Sequence, residues 1–368
     1  MSPPFCFPVA CAAILITTSA WWYYYSSPNH GRRDQLPRDL RTWRLADEEA
    51  TWSILSPILA FNGWKSWDTP YSLFQDRPEH SISNGFHTGG SYRYMSPYAI
   101  TKLRKFHYHN AFVRAVRNQE GYDAVCRVIV AGNEGQNCLK AIRRVAYGDA
   151  THFCDSHVLP LLFEFQFEDI TFGIFPLMSG MNFHDMIPSI YCHCSLGDFM
   201  HMLTQALEAL QFIHHKRVAH HDAFFNNFLV EWQPDSLKRG AISVAHPRVW
   251  LIDFENAMSF PEDTPYGECK CTTPDFLKRD NYGRPYDAAF MGDLSFNAFT
   301  LDLWQFMYYV QYLEINIPTL NEVLRNLQNQ STAESALRLL HDTLCNFTPS
   351  QLHVPFRYTE PSYDCTED

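Results

Sequence analysis

The sequence predicts an α+β chain, with a β-rich first part that contains one helix and a mainly helical second part. Three observations predict it. Short apolar or alternating segments dominate up to Met178. Beyond that point apolar residues recur every three or four positions, as on one face of a helix. Near the end, two [ST]-x-x-E patterns lead into leucine-rich runs.

Taken in order, the first thirty-one residues carry no Lys, Arg, Asp or Glu, and the run from Phe5 to Tyr25 is about long enough to cross a bilayer as a helix. Residues 5–25 are therefore a candidate membrane tether. Trp21 to Tyr25 suit an interface, and the arginines from Arg32 to Arg44 would keep the downstream part on the cytosolic side. A cleaved secretory signal and an apolar extension are the other readings of this segment. Ser26 to Arg44 is mostly polar and reads as a linker, so residues 1–45 are set apart from the folded part.

From Trp52 to Asn110 the pattern is irregular and aromatic. Ala111 to Arg117 and Asp123 to Ala131 then read as paired strands around the turn Asn118-Gln119-Glu120-Gly121. Gln136 to Ala146 has helical character. Val158 to Phe167 and Ile170 to Leu177 form a plausible hairpin around Glu168-Asp169. After Met178, Phe199, Leu203, Leu207, Leu210 and His214 mark one face of a long helix. Thr319 with Glu322 and Ser331 with Glu334 are the two capping patterns.

Composition excludes several classes. The chain has 368 residues, 46% of them hydrophobic, which is enough for a large core and excludes disorder. With 29 Lys plus Arg against 40 Asp plus Glu, it lacks the cations to neutralise a nucleic-acid backbone. Eleven cysteines are too sparse for a disulfide scaffold and fit reduced thiols in a cytoplasmic protein. Cys192 with Cys194 and Cys269 with Cys271 are C-x-C pairs some 75 residues apart, a poor spacing for structural zinc. The sequons at Asn329 and Asn346 matter only in a secretory compartment.

The chemistry concentrates after the long helix. In Val218 to Val230, Asp222 is followed five residues later by Asn227, on a loop between a helix and an apolar strand. A carboxylate and an amide so spaced can place a base beside a metal ligand. The apolar run Val249 to Ile252 then ends in Asp253, a second hard oxygen ligand at a strand end.

His220-His221-Asp222 with Asn227 resembles the H-R-D-x-x-x-x-N catalytic loop of protein kinases, and Asp253-Phe254-Glu255 resembles D-F-G. Leu301-Asp302-Leu303-Trp304 resembles the start of the helix whose Asp supports that loop. The resemblance covers roughly residues 60 to 345, and the wording L-I-D-F-E-x-A is similar to that of divergent fungal kinase-domain proteins. It implies a bilobal fold: a small β-rich lobe with one helix (46–178), a hinge at Pro176-Leu177-Met178, and a larger helical lobe (179–368). It also implies ATP and Mg²⁺ as cofactors and a protein as phosphate acceptor. Asp222 would be the base, Asn227 and Asp253 the metal ligands, and Arg127 the cation in the place of the V-A-I-K lysine. Arg127, Pro176, Leu177, Met178, Asn227 and Asp253 would together hold the nucleotide.

Several positions depart from the pattern. Lys105 to Ala111 stands where a glycine-rich loop belongs, and Cys138 falls where the helix glutamate would, with Glu134 one turn earlier. His221 replaces an arginine, Phe224 a lysine, and Glu255 a glycine. Arg284-Pro285-Tyr286-Asp287 is a faint echo of A-P-E. Three readings stay open: a protein kinase, a pseudokinase serving as a binding module, and a small-molecule phosphotransferase of the aminoglycoside or choline type.

Overall fold

The computed structural model describes residues 33–71, 74–76, 105–107, 110–148, 156–178, 181–189, 194–231, 247–273, 284–285, 287–290 and 295–356, less 312, 314, 316 and 328. The fold is mixed α+β. A short helix α1 (Leu40–Arg44) and a longer α2 (Glu48–Phe61) precede strands β1 (Trp64–Ser66), β2 (Val113–Asn118) and β3 (Asp123–Ala131). Helix α3 (Gln136–Val145) and the hairpin β4 (Phe163–Phe167) and β5 (Ile170–Pro176) follow. These strands form one antiparallel sheet in the order β1-β2-β3-β5-β4.

The sheet follows from local patterning. In β2 and β3 every residue is buried or half-buried, as expected when both faces are covered. One face carries Ala124, Cys126, Val128, Phe165 and Phe172, and α2 covers it with Trp52, Leu55, Ile58 and Leu59. The Trp52 indole donates to Ala111 O at 3.0 Å, so this large buried ring is also held in register. Helix α3 lies elsewhere: Cys138, Leu139, Ile142 and Val145 enter the larger core, together with the helices that follow. Gly135 starts α3 at φ +89°, and a Cβ there would lie 2.0 Å from Ile129 O, which leaves glycine alone.

The second part is built on helix α4 (Phe183–Ser189) and the 20-residue helix α5 (Leu196–His215), nearly all of whose apolar positions are buried. Ser195 caps α5 with Asp198 in a reciprocal box. Strands β6 (Met181–Asn182), β7 (Phe228–Glu231) and β8 (Arg248–Leu251) pair antiparallel in the order β8-β7-β6. Helices α6 (Ala298–Val310), α7 (Pro318–Leu327) and α8 (Ala333–Leu344) complete the core with Phe306, Leu324 and Leu340.

The structure corrects the reading of the sequence in three places. Residues 33–45 are no linker but a 3-10 turn and α1, with Trp43 fully buried in the sheet core. Arg33 pairs with Asp169, and Leu40 N donates to Glu134 Oε2 at 2.8 Å, so charges that look solvated in the sequence are docking contacts. The irregular stretch after Trp52 begins inside α2, which Asp47 caps and which tolerates Pro57. The capping of α8 falls one residue late, on Thr332 with Ser335, and α7 already begins at Pro318.

The tether segment 5–25, Cys192 and most of the 232–247 loop lie outside the described residues. Among the described residues no helix is long and apolar enough to cross a membrane. Cys126, Cys138, Cys194, Cys269, Cys271 and Cys345 are free thiols. No group of three or more His, Cys, Asp or Glu side chains that could hold a metal occurs among those residues.

Candidate active site

The site is assembled around one buried carboxylate. Asp302 sits in α6 with no exposed surface. Its oxygens accept from His220 N at 2.7 Å, His221 N at 2.6 Å and His214 Nε2 at 2.9 Å. One turn on, Gln305 accepts from Ala223 N at 2.9 Å and donates to His221 O at 2.8 Å. Two residues spaced three apart on a helix thus grip four backbone groups of the loop. The grip stabilises a left-handed conformation at His221, φ 63°, that a non-glycine residue rarely adopts. Burial raises the Asp302 pKa, but the histidines outweigh it and hold the carboxyl below its ordinary range.

This loop brings Asp222 and Asn227 together. Asn227 Nδ2 donates to Asp222 O at 2.6 Å and to Asp222 Oδ2 at 2.9 Å. The second loop is tied to the first at two points: Ile252 N donates to Asn227 O at 2.9 Å, and His220 Nε2 bonds Ile252 O at 2.8 Å. If Nε2 donates, Nδ1 is free to accept from Asp222 N at 3.3 Å, so one tautomer serves both loops. Asp253 follows at φ 66°, with its side chain about one third exposed. Burial pushes the Asp222 carboxyl above its ordinary pKa, against the pull of Arg284 and His220.

Arg127 and Asp253, 126 residues apart, form an ion pair at 2.6 Å. Burial raises the Asp253 pKa, and Arg127 lowers it by charge and hydrogen bond to a net depression. Glu255 lies 3.9 Å from the same guanidinium and is itself paired with Arg44 of α1. Glu134 does not reach this centre, because it is bonded to Leu40 N. Cys138 is buried in α3, its thiol pushed up to about 12 by burial, so it brings no charge to Arg127. The carboxylate near Arg127 that no helix register offered is therefore Glu255.

Among the expected hinge residues, Pro176 pairs with Ala124 across the sheet, and Leu177 packs in a small apolar cluster with Trp67 and Ala115, next to Phe106 and Val125. Met178 is buried. Arg284 stands beside Asp222, a neighbour that no motif or spacing foretells. His221 is buried beside Cys271, and burial lowers its pKa, so charge is disfavoured on the ring that stands at the place of an arginine.

The donor set suits a magnesium ion. Asn227 spends its amide nitrogen on Asp222, which leaves Oδ1 as the atom that would face a cation, and Asp253 keeps Oδ2 outside the bond to Arg127. Two oxygens on tied loops fit Mg²⁺, which keeps waters and takes its other ligands from phosphates. A cavity of about 330 Å³ lined by Gln211, His214, Tyr266 and Glu334 includes none of these residues. No protein-family model matches the chain, and no curated protein matches it.

Proposed function

We propose that the chain is a protein-kinase-like phosphotransferase, bilobal in layout, that moves the γ-phosphate of ATP to a protein hydroxyl. One observation carries the reading: Asp302 holds the backbone of a loop that brings Asp222 against Asn227, and that loop is bonded to the strand end bearing Asp253. A lone aspartate in a loop has many ordinary roles, but this joint arrangement needs a purpose for three carboxylates and an amide.

In this reading Asp222 accepts the proton of the acceptor hydroxyl, and Asn227 orients the Asp222 carboxylate. Asn227 Oδ1 and Asp253 would hold Mg²⁺, which would supply charge neutralisation on the nucleotide phosphates. Arg127 faces the phosphates, and residues 176–178 flank the base. The stretch Lys105 to Ala111 lacks glycine, so the phosphates would be covered without the freedom of a glycine-rich backbone.

The alternative is a pseudokinase that binds a partner without turnover. The Arg127 to Asp253 pair favours it, since a guanidinium already neutralises the carboxylate that would hold the metal. Buried Trp67 favours it too, because that ring fills space beside Val125 and Leu177.

Thermal unfolding with and without millimolar Mg-ATP separates the readings. Nucleotide at about a hundredfold over Kd stabilises by about 2.7 kcal/mol, a rise of roughly 3–4 °C for a chain this size. Asp253→Asn is expected to abolish that rise, each protein being compared with its own nucleotide-free sample. No rise in the unsubstituted chain points to the pseudokinase. Turnover of a small alcohol or aminoglycoside, with none on protein, assigns the small-molecule class.

A further inference from the structure

We propose that Arg284 is the cation that meets the transferring phosphoryl group beside Asp222, at the point where Phe224 leaves the catalytic loop uncharged. The inference rests on the phosphotransferase reading above. Three contacts place the side chain. Nε lies 3.5 Å from Asp222 Oδ1, Nη1 donates to Asn226 Oδ1 at 2.8 Å, and the guanidinium stands 5.4 Å from the centre of the Phe224 ring. Phe224 is itself fully buried, edge-on to Trp304, Tyr308 and Tyr309, so the platform is rigid.

The two oxygens of Asp222 are thereby divided. Oδ2 takes Asn227, and Oδ1 faces Arg284. In the transfer, the acceptor oxygen bonds to the γ-phosphorus as the bond from that phosphorus to the ADP oxygen breaks. The hydroxyl proton passes to Asp222, and ADP leaves with the electron pair. In the transition state the phosphoryl charge is spread over three equatorial oxygens, and a planar, permanently charged fork suits that distribution better than an ammonium.

Arg127 is committed to Asp253, whereas Arg284 Nη2 bonds no described residue. The side chain is about one quarter exposed, which leaves an approach for an acceptor. Preorganised charge of this kind acts mainly on the rate.

The test is Arg284→Gln and Arg284→Lys in the full chain, assayed for phosphate transfer to myelin basic protein and for binding of Mg-ADP with and without aluminium fluoride. Arg284→Gln is expected to lower kcat by about 10²–10³-fold, to leave KM for ATP and Kd for Mg-ADP within about twofold, and to lose the added affinity that aluminium fluoride confers. Arg284→Lys should restore part of both. Faster turnover in Arg284→Gln would identify the side chain as a plug over the base and overturn the assignment. Unchanged kcat would overturn it as well, and so would a fall in Mg-ADP affinity that parallels lost thermal stability, which marks a brace. An unsubstituted chain that neither binds Mg-ADP nor transfers phosphate removes the phosphotransferase reading and this assignment together. One that does both while Arg284→Gln changes nothing removes the assignment alone.

Discussion

Asp302→Ala is expected to destabilise the fold by about 3–5 kcal/mol, the cost of removing one partner from a buried charged network. The substitution leaves His220 N, His221 N and His214 Nε2 without an acceptor in a place that water does not reach. It also releases the left-handed backbone at His221, so the loop that carries Asp222 loses its shape before the rest of the chain unfolds. Urea unfolding followed by tryptophan fluorescence measures the first effect, and proteolytic cleavage near residue 221 under native conditions the second. A loss below about 1 kcal/mol, typical of surface changes, would sink the account.

The same carboxylate predicts a pH dependence. Its folded-state pKa lies below the unfolded value, so the stabilisation it gives is complete above the ordinary aspartate range and is lost as pH falls through and below that range. Asp302→Asn removes this contribution at neutral pH and should flatten the stability curve in the same acid window. A variant that keeps the acid slope of the unsubstituted protein would assign that slope to other carboxylates.

Asp222→Asn is expected to cut phosphate transfer by about 10²–10⁴-fold, the usual worth of a positioned base, while the Mg-ATP thermal shift persists. The substitution keeps shape, and the amide oxygen it introduces still accepts from Asn227 Nδ2, so the metal ligand on Asn227 stays where it is. Burial disfavours the Asp222 charge, so its removal relieves a desolvation cost and folding stability does not fall. Single-turnover transfer to myelin basic protein and differential scanning of the same preparation report the two properties. If binding and transfer fall together, Asp222 is a binding residue and the assignment of the base is wrong.

Particular residues show how far the sequence could be read. The strands at 113–118, 123–131, 163–167 and 170–176 follow from apolar alternation and turn residues, which are local properties. Helix α5 follows from its 3.6-residue period and Ser195. The neighbourhood of Asp222, Asn227 and Asp253 was legible because loop residues fixed by spacing leave few ways to close the loop. Helix α2 could have been found from Asp47-Glu48-Glu49 and the spacing of Trp52, Leu55 and Leu59, but Pro57 and the aromatic content hid the period.

The docking of α1 had no such signal. Its five residues, Leu40–Arg44, are mostly polar, and Trp43 looks exposed until the sheet is there to bury it. The exchange of partners around Arg127 was equally hidden, because Arg44, Arg127 and the segment carrying Asp253 and Glu255 are three distant stretches whose meeting depends on packing.

The mixed α+β class, the element order after Ala111 and the carboxylates and amide at two loop ends are all written in periods or spacings of a few residues, so the chain's own order of residues was enough to find them. Which charges pair was settled only by packing in three dimensions. Arg127 takes Asp253, Glu255 takes Arg44, and Arg284 takes the Asp222 oxygen that Asn227 leaves. Ion pairing depends on distance and burial in space, and neither can be read from separations of 62 to 211 residues along the chain.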